Sequence, residues 1–120
     1  MAKHLHRETV TILIGGTDGA LESQQGLEAL SQASAMTIYS PTTLAETVTV
    51  QVSADEKPAG TLYGYKSLQR WTSTGAADVT LVANKAIVLP NIACAALNLH
   101  AGGAVAAART FIIVFSLDVE

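Results

Sequence analysis

Three histidines, ten carboxylates and one cysteine are the reactive side chains of this 120-residue chain. His4 and His6 stand two apart, so in an extended segment they face the same side and could share a metal. A zinc site normally takes three or four protein ligands, and no third stands near them; they read as exposed polar residues. His100, just before Gly102-Gly103, reads as a polar residue at a strand edge rather than a base. Glu22, Glu28, Glu46, Asp55-Glu56, Asp78, Asp118 and Glu120 fall mostly in turns and at the chain end. A glycosidase needs two carboxylates facing across a cleft. Asp18-Gly19 lacks the repeated oxygen ligands of a calcium loop, and Gly15–Gly19 contains neither a dinucleotide fingerprint nor a Walker lysine. No serine sits in a GxSxG elbow. Cys94 cannot form an intramolecular disulfide, and in the run NIACAAL it reads as a buried, inert thiol, compatible with a reducing cytosol. The expectation is a protein that is not an enzyme, with no catalytic residue, cofactor or metal site.

Binding leaves more room. Tyr39, Tyr63, Tyr65 and Trp71 could form a sugar-binding platform if exposed in a row, but core packing is the expected destination for at least half of them, Trp71 included. The seven Lys and Arg residues are scattered and the net charge is −3, so nothing resembles a stripe that neutralises successive phosphates; nucleic acid is not an expected partner. The N-terminal segment MAKHLHRETV lacks the apolar stretch of a signal peptide, and no run approaches the length that spans a bilayer, so no membrane partner is expected. Apolar residues make up 49% of the chain and charged ones 14%. A free monomer of ordinary composition carries about a quarter charged residues. A chain so poor in charge cannot cover its surface with it, which points to an oligomer or an assembly component.

The elements that would position these residues are strands. Val48, Val50 and Val52 alternate with Thr47, Thr49 and Gln51, the period of a half-buried antiparallel strand. The segments 8–14, 67–72, 78–82, 86–89, 95–100 and 109–119 read the same way. Gly15-Gly16 with Asp18-Gly19, and Thr74–Ala77, supply turns, and Pro90 ends a strand. Residues 20–34 read as irregular, with one or two helical turns from Leu27 to Ala33. The expected fold is all-β: a single jelly-roll-like β-sandwich of about 7–8 antiparallel strands over residues 8–120, preceded by a polar arm at 1–7. The stretch Met36–Val52 is weakly echoed by Ala96–Phe115.

The motifs SPTTLAETVTVQVS, DVTLVANKAIVL and ALNLHAGGAVAAARTFIIV, spread over roughly residues 36–115, resemble those of small structural proteins of tailed bacteriophages, in particular head cement (decoration) proteins. The resemblance implies a jelly-roll-like sandwich, a non-enzymatic role in the virion, the major capsid protein as partner, and self-association, often as a homotrimer. Tail or neck proteins share similar sandwiches, and a carbohydrate-binding or receptor-facing module is the alternative. Met1–Arg7 and Ala101–Ala108 are the expected contact regions.

Overall fold

The computed structural model describes residues 2–55, 65–90 and 92–119. In chain order the elements are β1 (Ala2–Ile12), β2 (Asp18–Ala20), α1 (Gln24–Gln32), β3 (Ala33–Tyr39), β4 (Val48–Ser53), β5 (Lys66–Ser67), β6 (Gln69–Thr72), β7 (Gly75–Asp78), β8 (Thr80–Leu81), β9 (Ala86–Pro90), β10 (Ala96–Ala101) and β11 (Arg109–Val119). Eight of the strands have four or more residues, and β2, β5 and β8 are shorter. The fold is an all-β sandwich.

Pairing is nested. β1 pairs with β11, β2 with β10, β3 with β9 and β4 with β8, all antiparallel. One sheet then has the order β1-β11-β3-β9, and the other runs β2-β10-β4 with β8 and β5 sharing the far edge of β4. That is a long hairpin of strands rolled onto itself, the arrangement of a jelly roll. β6 and β7 form a separate hairpin inserted between β5 and β8.

The core lies between the sheets. Val10, Ile12, Met36, Ile38, Leu89, Phe111, Ile113 and Phe115 enter it from one side, and Val48, Val50, Leu81, Leu97, Leu99 and Ala101 from the other. Each set follows the two-residue period of its strands. The echo between Met36–Val52 and Ala96–Phe115 has a structural basis. Each segment gives one strand to each sheet, β3 pairs with β11, and β4 pairs with β10.

Three expectations about the strands are corrected. Residues 2–7 are not an arm; they are the first half of β1, paired with β11 from Ala2↔Val119 onward. The inward positions there are polar, so alternation does not show. His6 stacks on Phe115 with ring centroids 6.4 Å apart and bonds to Glu8 (2.7 Å), and Glu8 accepts from Ser23 at the start of α1. Asp18-Gly19 is strand rather than turn, and a Cβ at Gly19 would lie 2.9 Å from the Thr11 carbonyl oxygen. The stretch Gly75–Ala77 belongs to β7, with the turn at Ser73-Thr74.

The helix begins earlier than its leucines suggest, because Ser23 caps it: its Oγ accepts from Gly26 N at 3.0 Å. Gly26 is buried, and a Cβ there would meet Ser23 Oγ at 2.7 Å and Leu21 Cδ1 at 2.8 Å. In an exposed helix Gly→Ala gains about 1 kcal/mol. Overpacking at a closed site costs about 1–3 kcal/mol, so Gly26→Ala should lower the unfolding free energy in a urea titration. A stabilised variant would show that the first turn of α1 has room that the structure does not give it.

Candidate contact surface

The nested topology brings four connections to one end of the sandwich: residues 13–17, 40–47, 82–85 and 102–108. Their sequences are LIGGT, SPTTLAET, VANK and GGAVAAA, with only Glu46 and Lys85 charged. Backbone hydrogen bonds tie the loops together. Gly15 N donates to Val105 O (2.9 Å), Val105 N to Gly16 O (3.0 Å), Ala101 N to Thr17 O (2.7 Å), Gly102 N to Thr47 O (2.8 Å) and Asn84 N to Pro41 O (2.8 Å). A surface held by its own backbone loses little conformational freedom when something docks on it.

Glu46 carries no free charge into this surface. Arg109, at the start of β11, donates from Nε to Glu46 Oε1 (3.0 Å), from Nη2 to Oε2 (3.2 Å) and from Nη1 to the Thr43 carbonyl (3.3 Å). Arg109 is buried, and the two-pronged geometry is the strong form of this pair. The arginine hydrogen bonds hold the Glu46 carboxyl below its ordinary value of 4.5. The pair joins the β3–β4 loop to β11 while the neighbouring exposed residues stay small or apolar. Leu13 is 70% exposed, Ile14 71% and Val82 57%. Burying a side chain of that size contributes roughly 1.5–3 kcal/mol, so this end can bind another protein surface and offers no reactive group.

Polar side chains converge elsewhere, on the outer face of the β2-β10-β4 sheet. Asp18 Oδ1 accepts from Asn98 Nδ2 (2.9 Å) and lies 2.8 Å from His100 Nδ1, and Asn98 Nδ2 also donates to Gln51 Oε1 (2.8 Å). Burial would raise the Asp18 carboxyl, but the hydrogen bonds from Asn98, His100 and Thr17 outweigh it and leave it below its ordinary 3.8. An Asp–His contact orients an imidazole, yet among the described residues no hydroxyl or thiol bonds to the other ring nitrogen of His100. A catalytic triad needs that third group. Residues 82 positions apart meet here, so no local pattern could have shown the cluster.

The other candidates are dispersed. His4 is exposed and His6 is engaged by Glu8, and the described residues hold no group of three or more metal-ligating side chains. Cys94 is half-buried, and burial raises its thiol pKa. Trp71 is not a core residue: it is 85% exposed on the β6–β7 hairpin, where nearly every position is exposed. Aromatic character alone could not separate a core tryptophan from one on a two-stranded ribbon outside both sheets. Tyr39 is exposed and Tyr65 half-buried, while Tyr63 lies outside the described residues. Of the two expected contact regions, 102–108 is part of the loop end and 2–7 is built into a sheet.

No family model and no curated protein matches the chain. Solved structures with a similar course of chain include an IMPa metallopeptidase in complex with T-antigen, with a TM-score of 0.47 and 16% identity over 92% of this chain and 12% of that one. IMPa from Pseudomonas aeruginosa in complex with an O-glycopeptide aligns with the same score and identity over 93% of this chain and 12% of that one. A Bacillus endospore appendage, described as one of a family of disulfide-linked pili, aligns with a TM-score of 0.45 and 14% identity over 100% of this chain and 93% of that one. The chain therefore spans about an eighth of the IMPa chains. These likenesses carry no argument about function.

Glu46 and Asp18 both titrate below their ordinary values, so the stability they contribute is present above about pH 4–5 and is lost as pH falls through the folded values. Glu46→Gln should lower the melting temperature at neutral pH and flatten its decline from about pH 5 downward. Parallel melting curves for variant and wild type across that range would show that the pair contributes nothing.

Proposed function

We propose that this chain is a non-enzymatic structural subunit that docks on a protein lattice through its loop end, acting as a cement protein of a tailed-phage head with the major capsid protein as partner. The observation that carries this reading is a preorganised end, drawn from four loops, whose one acidic residue is neutralised by a buried arginine, whose one exposed charge is Lys85, and whose largest exposed apolar side chains are Leu13 and Ile14. Leu13, Ile14 and Val82, all exposed at this end, are the apolar surface such a partner would cover. The motif resemblance to phage virion proteins is what supports a capsid as the lattice and the virion as the location. A protein that binds only the assembled shell stabilises the assembled state by mass action. Trp71 favours a second reading, a carbohydrate-binding or receptor-facing module, because one exposed aromatic ring is a possible stacking surface for a sugar. A glycan array separates the two.

Ile14→Asp places a charge within the proposed contact. It should weaken binding to expanded heads by about tenfold or more, since a buried unpaired charge costs more than the apolar contact it replaces, while the exposed position leaves the melting temperature nearly unchanged. Binding is read by co-sedimentation with purified heads. Undiminished co-sedimentation of the variant would remove the loop end from the reading, and a glycan ligand lost on Trp71→Ala would favour the alternative.

A further inference from the structure

The two lateral edges of the sandwich carry opposite charge. At the β1/β2 edge a groove of about 390 Å³ is lined by Glu8, Asp18 and Glu22 among its polar residues and by no Lys or Arg. At the β8/β9 edge a groove of about 310 Å³ is lined by Arg70 and Lys85 with Val82, Ala86 and Ile87, and by no carboxylate. Glu28, exposed on α1, extends the acidic side, and Lys66, exposed on β5, extends the basic one. Arg7 on β1, Asp55 just after β4 and Asp78 on the hairpin are the exposed exceptions.

The basic edge is also where the hairpin lies. Arg70 lines the groove from β6, and its neighbour Trp71 projects into solvent. An isolated two-stranded ribbon is marginally stable in water, so a ribbon exposed on nearly every residue gains from being covered. Both edges belong to the same pair of sheets but lie at opposite ends of the strand order. A second copy of the chain, translated or rotated about the strand direction, can bring its acidic groove to the first copy's basic groove. Complementary potentials of this kind fix partner and register.

We infer that the chain associates with further copies of itself, head to tail, through the acidic β1/β2 edge of one copy and the basic β8/β9 edge and hairpin of the next. The contact is heterologous: each copy offers two different surfaces, and the series closes into a ring if the rotation per copy allows it. This rests on the reading of the chain as an assembly subunit and supplies its mode of self-association, of which a trimer is the smallest closed form. A ring built through the lateral edges leaves all loop ends on one side, where several weak lattice contacts add by effective concentration.

The test is sedimentation velocity of the full chain at low and high salt, with Glu22→Lys, Arg70→Glu and the double variant. Each single substitution should weaken association by about tenfold, high salt should weaken that of the wild type, and the double variant should recover most of the loss because each groove then meets its reversed complement. Asp55→Lys, exposed and outside both grooves, controls for net charge. A chain that stays monomeric at low salt, or an oligomer indifferent to both single substitutions, overturns the inference. Head binding is scored in parallel. A monomer that still binds heads through Ile14 overturns the edge contact and leaves the proposed function standing, whereas a salt-sensitive oligomer that ignores heads does the reverse.

Discussion

The ladder between β1 and β11 is the constraint on which the rest of the structure depends. It pairs residues across nearly the whole chain, from Ala2↔Val119 to Ile12↔Arg109. Once it exists, β2 must meet β10, β3 must meet β9 and β4 must meet β8, because each pair is nested inside the one before. Loop-closure entropy grows only slowly with length, about 0.6 kcal/mol per doubling, so the closing pair costs little more than the inner ones. Its cost is kinetic: a topology dominated by distant pairings folds slowly. The inner pairs shorten the loop that the outer ones must close, which favours a folding order running from β4 and β8 outward.

The same nesting explains why the loop end exists as one surface. Alternate connections in such a roll fall at the same end, and here four of them do. They need a device to hold the β3–β4 and β10–β11 connections together, and the Arg109–Glu46 pair is that device. A buried ion pair adds little net stability over a well-packed apolar substitute, but removing one partner leaves a charge without compensation. Its value here is positional. It joins two loops distant in sequence, and it removes the one carboxylate that would otherwise stand among Leu13, Ile14 and the alanines of 104–108.

Much of the fold was legible in the sequence wherever one face of a strand is apolar. The alternation at Val48–Val52 and the apolar run at 110–115 gave strands within a residue or two of those observed. It failed where the inward face is polar. His6 and Glu8 point inward in β1, but a helix covers them and its capping serine satisfies the carboxylate, so periodicity registers nothing. It failed again at Gly26, where the residue that weakens a helix by propensity is required by packing. One of the four loops of the contact surface was legible, as the small-residue segment 102–108. The loops beside it are there because of strand order, and strand order is set by long-range pairing that no window of sequence contains.

The low charge of the chain has an internal logic once the surfaces are separated. The groove at each lateral edge is lined by charges of one sign, acidic at β1/β2 and basic at β8/β9, with Arg7, Asp55 and Asp78 as exposed exceptions outside the grooves. The loop end is nearly free of charge. An apolar end binds without strong orientational demand, since dispersion and burial are non-directional. Charged edges, in contrast, select a register and reject like-charged approaches. Under the proposed reading, a subunit covering many equivalent lattice positions would need both properties. In the proposed role the grooves at the edges would set how copies align while the loop end would set how firmly they hold, with Leu13, Val82 and Lys85 at the borders between the two. The same 120 residues could then tolerate drift in the loop-end sequence, provided it stays small and uncharged, more readily than a reversal of sign at Glu22 or Arg70.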